Sequence, residues 1–291
     1  MERARSRRDA GRRGRRPDRA DAGRIPARTG LGPGDRGGVV VNVLAVDCSG
    51  DLLSVGVGRG AGSEGRGPRS PKHPYREEKG HGLAAGPGFI GVTIDAGFRH
   101  AERVMNAIEY CVAEAGIVPA DLDLLACSGG PGSFTGLRIG MATVKGLSLG
   151  LGKPFVTVPT LDAIAADWEG APGAIVPVLD AKRSRFYFAV YEGGRLVAGP
   201  YDDGLEKLIA VTQSYPDVLF VGPDADLVES TAEERSGFRI ATERRRSPIT
   251  AMARLAVAIF ERHGPSPSDA GLAYLRASDA EENAAREAGS P

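Results

Sequence analysis

The sequence has few cysteines and no long apolar run, and both absences narrow the class of protein. Its 291 residues include three cysteines, Cys48, Cys111 and Cys127, with no Cys-x-x-Cys pair. An odd, widely spaced set argues against a disulfide framework and a zinc ribbon, and is typical of the reducing cytoplasm. No apolar run reaches the roughly 18–20 residues that span a bilayer, so we predict a cytoplasmic protein without membrane contact.

The chain also lacks net charge, but this balance hides two oppositely charged parts. Residues 1–38 carry 12 Arg against five acidic residues, or +7, which leaves −7 for residues 39–291. The first part has no apolar segment of the kind found in secretory signals, and its composition predicts a disordered, Arg-rich extension. An acidic body is a poor electrostatic match for a nucleic-acid backbone, so we do not expect it to bind nucleic acid by itself.

Apolar runs in the first half predict three strands followed by alternating helices and strands. The three strand-like runs are residues 39–46, 52–57 and 89–94. Residues 58–88 lie between the second and third runs and are rich in Gly, Pro and charge, which predicts a flexible insertion. A helix that begins at His100 and closes at Gly116 comes next, so the elements follow an α/β pattern.

The second half repeats this order of elements. Aligning Asp180 on Asp47 places residues 186–190 against residues 53–57 without a gap. A weak repeat with a consistent element order indicates two related lobes. The predicted domains are an N-terminal lobe of residues 39–170, a C-terminal lobe of residues 171–278 and a polar tail of residues 279–291.

One glycine-rich stretch, Gly129–Gly140, stands between a predicted buried strand and a nearly uncharged helix that runs to Leu151. Ser133 or Thr135 is predicted to cap this helix, because a side-chain oxygen can accept from its first free N–H groups. The helix is apolar on nearly all faces and holds glycines 140, 146 and 150, each of which costs roughly 1 kcal/mol relative to alanine. Such a helix needs cover on several sides, so we predict that its glycines let other helices approach closely.

The glycine-rich stretch lacks the motifs of known catalytic loops. It has no Lys-Ser/Thr pair of a phosphate-binding loop, no Gly-x-Ser-x-Gly around Ser133 and no dinucleotide-binding fingerprint. Of the four histidines, His100 alone stands at a notable place, the start of a helix, and one His does not make a metal site. We therefore predict no catalytic residue and no metal site on this chain.

Two aspartates at strand ends keep a nucleotide-dependent activity open as the alternative. Asp47 and Asp180 are placed as the Mg²⁺ or phosphate-site carboxylates of a two-lobed ATPase would be, which would make the chain an ATP-dependent phosphotransferase or hydrolase. The turn after Asp47 keeps Ser49, but the turn after Asp180 has bulky Lys182 and Arg183 where a phosphate needs glycines. We interpret Asp47, Ser49 and Asp180 as remnants of a nucleotide site.

Five segments of the chain match the pattern of one known family. They are Val43–Ser49, His100–Arg103, Gly129–Gly140, Val178–Arg183 and Tyr274–Arg276. At these segments the sequence resembles the TsaB (YeaZ-type) family, over roughly residues 41–278. The resemblance implies a two-lobed, actin/sugar-kinase-like (RNase H-type) duplicated fold, which agrees with the internal repeat.

The same resemblance implies a non-catalytic subunit of the bacterial complex that makes threonylcarbamoyladenosine at position 37 of tRNA. Such a subunit forms a heterodimer with TsaD, is joined by the ATPase TsaE, and can form a homodimer when alone. It meets tRNA only through the complex. No cofactor is expected on this chain, and ATP and a metal are expected on the partner subunits.

By the same resemblance, the helices that begin at His100 and at Phe134 form the partner interface. The residues expected there are His100, Arg103, Val104, Met105, Ile108, Phe134, Leu137, Arg138, Met141, Ala142, Lys145 and Gly146. Docking of these helices is expected to stabilise the competent arrangement of the catalytic partner and to supply no group to the chemistry.

Overall fold

The computed structural model describes residues 42–58, 82–86, 88–229, 235–241, 247–273 and 275. The predicted extension 1–38, the predicted tail 279–291 and most of the predicted insertion lie outside these residues.

A first sheet is built from the strands of the N-terminal half. Its members are β1 (Val43–Asp47), β2 (Leu52–Gly58), β3 (Gly82–Gly86), β4 (Phe89–Asp95), β5 (Leu124–Ser128) and β6 (Phe155–Val158). Their order is β3-β4-β2-β1-β5-β6. The pairs from β3 to β1 are antiparallel, and those from β1 to β6 are parallel.

Strand β3 corrects part of the predicted insertion. Composition predicts a flexible segment that includes residues 82–86, yet the backbone of these residues pairs with residues 89–93 of β4. Gly88 has φ of +78°, a conformation that glycine adopts readily, and it lies at the reversal between the two strands. Gly88 belongs to the segment that composition predicts to be flexible, but here it is a turn residue.

Both faces of the first sheet are covered by helices. Helices α1 (His100–Glu114) and α2 (Phe134–Leu151) cover one face, where Leu44 and Val46 of β1 point. Val43 and Ala45 of the same strand face the opposite side, because side chains alternate along a strand. None of the described helices combines the length and the apolarity that crossing a membrane requires.

The second sheet repeats the first. It consists of β7 (Ala174–Lys182), β8 (Arg185–Glu192), β9 (Arg195–Gly204), β10 (Val218–Val221) and β11 (Phe238–Ile240), in the order β11-β10-β7-β8-β9. Strands β9-β8-β7-β10-β11 correspond in order and direction to β4-β2-β1-β5-β6. The internal repeat predicted from the sequence is confirmed, and β11 is a strand that the apolar pattern did not reveal.

In each half of the chain, one helix packs on the sheet of the other half. Helix α3 (Thr160–Ala166) follows β6 but packs on the second sheet, where Asp162 accepts a hydrogen bond of 2.5 Å from the Tyr191 hydroxyl. Helix α4 (Leu205–Thr212) covers the other face of that sheet. Helix α5 (Ile249–His263) follows β11 and packs through Ile249 and Met252 on the first sheet. The predicted boundary assigned α5 to the C-terminal lobe, because chain order does not show this exchange.

Candidate functional site

Two turns, one in each sheet, carry the aspartates that the sequence singled out. Asp47 ends β1, and its Oδ1 accepts the backbone N–H of Ser49 at 2.9 Å. Asp180 lies in β7, and its Oδ1 accepts the backbone N–H of Lys182 at 2.7 Å. Each carboxylate thus closes its own turn by bonding to the backbone two residues on, a common role of Asp in turns. The two sheets therefore correspond in strand order and also in the hydrogen bond that the aspartate of each turn accepts.

The glycine-rich stretch packs directly on the first turn. The backbone N–H of Ser133 donates to the carbonyl of Ser49 at 2.7 Å. A side chain at Gly132 would overlap the carbonyl of Ser49, and one at Gly136 would overlap the carbonyl of Cys48. These glycines are required because two backbone segments meet here. Gly132 and Gly136 therefore admit the backbone of the first turn.

The second turn, at residues 180–184, has a strained backbone and contains a lysine that pairs with its aspartate. Lys182, Arg183 and Ser184 all have left-handed backbones, with φ of +64°, +57° and +57°. The Lys182 ammonium lies 2.8 Å from Asp180 Oδ2, and this hydrogen bond is the main reason that the pKa of Lys182 is raised. Asp224 accepts the backbone N–H of Asp180 at 2.8 Å, and burial raises the pKa of the Asp224 carboxyl. Lys182 therefore engages both oxygens of the Asp180 carboxylate, Oδ1 through its backbone N–H and Oδ2 through its ammonium.

Replacing Ser184 by glycine tests whether the backbone of this turn is strained. The Ser184→Gly substitution is expected to raise the free energy of unfolding by up to about 1 kcal/mol, because a left-handed backbone costs a side-chain-bearing residue about 1–2 kcal/mol and glycine very little. Thermal unfolding of the two proteins measures the change. The Ser184→Ala variant is the control, since it removes the hydroxyl but keeps the strain. A lower melting temperature for Ser184→Gly would contradict the observed backbone.

The twelve residues expected at a partner interface divide by burial. Five of them are buried within this chain: His100, Val104, Ile108, Leu137 and Met141. Their side chains lie in the protein's own interior, which corrects the expectation of a direct partner contact for these five, because helical spacing alone does not show which residues of α1 and α2 face inwards. Met105, Arg138, Ala142 and Gly146 are exposed, and Arg103, Phe134 and Lys145 are half-buried. Within the described residues, buried His100 Nε2 has no hydrogen-bond partner.

Helix α2 is covered on two sides by this chain itself. Of the two predicted caps, Ser133 and Thr135, Ser133 is the N-cap of the helix. Its Oγ accepts the Gly136 N–H at 3.3 Å. Residues 264–273, here called the C-terminal strap, pass along the helix. Lys145 Nζ donates to the carbonyl of Ala270 at 2.7 Å, and the N–H of Ala273 donates to the carbonyl of Gly129 at 2.8 Å. The strap supplies part of the cover that the apolar helix requires.

A third side of α2 remains exposed. Its exposed face consists of Ala142, Gly146, Leu149 and Gly150, which follow one another at helical spacing. In the described part of the chain, apart from the chain neighbours and the adjacent backbone of α2 itself, no atom lies within 4 Å of the position that a Cβ of Gly146 or Gly150 would take. Leu149 keeps 87% of its surface in contact with solvent. This face combines small residues with one large apolar side chain.

Sequence reasoning missed two exposed apolar side chains at these helices. Leu149 lies seven residues after Ala142, so helical spacing alone could have placed it on the exposed face. Phe98, in the turn before α1, is fully exposed, and no periodic signal marks it. Both side chains lie on or next to the two helices expected to dock.

The cysteines and the possible metal ligands of the described residues can be judged from their surroundings. Burial raises the pKa of the Cys127 thiol to about 12 and also raises that of Cys48, so both thiols stay protonated at neutral pH and are poor nucleophiles. Within the described ranges, no three His, Cys, Asp or Glu side chains lie close enough together to hold a metal ion.

Comparison with known proteins identifies the family. A family model described as TsaD, tRNA N6-adenosine threonylcarbamoyltransferase, matches residues 94–259, more than half of the chain. The chain belongs to this family. Its similarity to TsaB proteins makes it a TsaB (YeaZ)-type member, as the sequence predicted.

Two TsaB proteins illustrate that similarity. TsaB of Bacillus subtilis (strain 168) is 29% identical over 151 residues, which cover 47% of this chain and 62% of that protein. TsaB of Escherichia coli (strain K12) is 34% identical over 95 residues, which cover 32% of this chain and 41% of that protein. The TsaB-type chain therefore spans less than two thirds of either relative in these alignments.

A solved structure shows the same fold. YeaZ from Pseudomonas aeruginosa superposes on this TsaB-type chain with a TM-score of 0.59 at 20% identity, covering 81% of this chain and 100% of that one. At this identity the likeness concerns the fold alone. Together with the repeated order of the two sheets, it confirms the predicted two-lobed, duplicated α/β fold.

Proposed function

We propose that this chain is a non-catalytic subunit in the formation of threonylcarbamoyladenosine at position 37 of tRNA. Its TsaB relatives are named as tRNA threonylcarbamoyladenosine biosynthesis proteins, and the family model carries the name of the transferase. One observation carries the non-catalytic part of the proposal: Asp47 and Asp180 each bind their own turn, and Lys182 neutralises Asp180. A magnesium–nucleotide complex would have to compete with these bonds at both carboxylates.

The exposed parts of α1 and α2 are the proposed contact with a TsaD partner. Small residues at Ala142, Gly146 and Gly150 would let a partner helix approach closely, and Leu149 would be covered by it. Apolar surface removed from water contributes about 25 cal/mol per Å². Met105 of α1 adds a second exposed apolar side chain. The contact therefore rests on the exposed residues, and the buried five hold the two helices in place.

The remaining assembly follows from this role. The ATPase TsaE would join the heterodimer, and tRNA would be met only through the complex. ATP and a metal would be held by the partner subunits. In the absence of TsaD, the same exposed face would pair with a second copy of this chain.

Depletion of the protein in its native cell tests the role. The threonylcarbamoyladenosine content of tRNA, measured by mass spectrometry of nucleosides, is expected to fall, and the tagged chain is expected to co-purify with TsaD. Unchanged nucleoside content after depletion would overturn the proposed role.

A second measurement separates this role from the ATP-dependent alternative. Calorimetric titration of the isolated chain with ATP–Mg²⁺ is expected to show no micromolar binding, because the complex would have to displace the bonds that Asp47 and Asp180 make within their own turns. Micromolar binding that the Asp47→Ala substitution removes would favour a phosphotransferase or hydrolase instead.

A further inference from the structure

The exposed face of α1 carries two carboxylates with one apolar side chain between them. Its members are Glu102, Met105, Asn106 and Glu109, which follow one another at the spacing that brings side chains to one face of a helix. We call this face the acidic stripe. Met105 leaves 41% of its surface in water, and the opposite face of α1 is buried in the core on the first sheet. A partner that covers Met105 therefore also meets the carboxylates.

Glu109 has no cation within one turn of its own helix. The residues one turn away from it on either side are Met105, Asn106, Val112 and Ala113, and none of them is charged. In the described part of the chain, the Glu109 carboxylate also makes no ion pair with another element. Among these residues, its negative charge is therefore compensated by solvent alone.

Glu102, the other carboxylate of the stripe, is stabilised by its place in the helix. It lies in the first turn of α1, where the helix dipole favours a negative charge. Arg99, at the N-cap three residues before it, adds a nearby positive charge. Glu109 lies beyond the first turn and has neither source of stabilisation. The charge that a partner would have to compensate is therefore that of Glu109.

The acidic stripe lies beside the exposed face of α2. The two helices contact each other on the same face of the first sheet. Each follows a strand that runs in the direction of β1, so both begin at the same edge of that sheet. Glu109 and Ala142 both fall in the third turn of their helices, counted at about 3.6 residues per turn. The Glu109 carboxylate is therefore level with the small residues of α2, where a partner helix would approach most closely.

We propose that the partner helix that covers this surface carries a lysine or arginine that pairs with Glu109. A partner surface without a cation would bury the carboxylate unpaired, which is strongly unfavourable. A cation at that place compensates the charge and fixes the register of the two surfaces. The net charge of −7 over residues 39–291 attracts a cationic surface at longer range. This inference rests on the proposed function, because it specifies the chemistry of the TsaD surface that would meet α1 and α2.

Substitutions of Glu109 test the pair on the full chain, with the association to TsaD measured by calorimetry. Glu109→Gln keeps the shape of the side chain and removes its charge, so binding is expected to weaken about 3- to 10-fold. Glu109→Lys brings two cations together and is expected to weaken binding at least about 30-fold at low salt, and less as the salt concentration rises. Glu109 is exposed, so the melting temperature of both variants should stay within about 2 °C of the parent.

A second charge reversal is the matched control. Glu206→Lys reverses an exposed charge on α4 in the other lobe, and its affinity for TsaD is expected to stay near the parent value. Replacement of a lysine or arginine of TsaD by glutamate that restores the affinity of Glu109→Lys would identify the paired cation.

The outcomes that contradict the inference differ from those that contradict the proposed function. Equal affinities of the parent and both Glu109 variants would overturn the inference and leave the proposed function intact. No association of the parent with TsaD would overturn both. Altered self-association of Glu109→Lys at an unchanged affinity for TsaD would mean that a second copy of this chain meets the acidic stripe, which also overturns the inference.

Discussion

The Gly146→Glu substitution is expected to weaken association with a TsaD partner at least about 100-fold and to leave the monomer more stable. Gly146 lies within α2 on its exposed face, and apart from its chain neighbours and the adjacent backbone of α2 no described atom lies within 4 Å of the position that a Cβ would take. A glutamate there meets no obstacle, and helix propensity alone would add up to about 1 kcal/mol to the free energy of unfolding. In a closely packed complex, the same carboxylate would be buried without a partner, at a cost of several kcal/mol.

Because Gly146→Glu is expected to stabilise the monomer and to weaken its association with TsaD, lost association cannot be ascribed to unfolding. Thermal unfolding reports the monomer, and a rise of about 2–4 °C is expected from 1 kcal/mol. Co-purification or calorimetry with TsaD reports the association. Ala142→Glu on the same face should act in the same way. Ala210→Glu is the matched control, because it places the same side chain at an exposed position of α4 in the other lobe. Full association of Gly146→Glu would show that this face of α2 is not the contact.

The fold could be predicted from the sequence because its signals are local and repeated. Apolar runs marked the buried strands, and the alignment of Asp180 on Asp47 marked the duplication. The exchange of α3 and α5 between the sheets could not be predicted, since an amphipathic pattern shows which face of a helix is buried but not which sheet covers it. Strand β11 has only three residues, Phe238–Ile240, which is too short for a period-two pattern to be recognised.

The candidate site was predictable only in part. The helical pattern identified α1 and α2, but sorting their residues into buried and exposed depends on which neighbours reach them. The C-terminal strap is such a neighbour, about 120 residues away in the chain from Lys145, which it contacts through Ala270. The sequence does not distinguish the glycines of α2, but their surroundings in the structure differ. Gly136 admits the backbone of the first turn, and Gly146 faces open space.

That difference predicts that Gly136→Ala will cost about 3 kcal/mol of stability or more. A methyl group at this position would overlap the carbonyl of Cys48. The carbonyl cannot easily move, because the adjoining carbonyl of Ser49 accepts the N–H of Ser133 at 2.7 Å, and Ser133 caps α2. Making room would break this bond or the cap, and forced overpacking alone typically costs 1–3 kcal/mol. Urea denaturation of the purified chain measures the loss.

A graded alanine series on one helix separates close approach from helix propensity. Alanine is a better helix former than glycine by about 1 kcal/mol, so propensity alone would stabilise every member. At Gly140 the new methyl would stand 3.5 Å from the Cys48 side chain, an ordinary contact, and at Gly146 it would meet open space among the described residues. Gly140→Ala is therefore expected near or above the parent stability, Gly146→Ala above it, and Gly136→Ala far below. Similar shifts for all three would mean that the glycine-rich stretch does not pack on the first turn, and the turn would again be open to a phosphate.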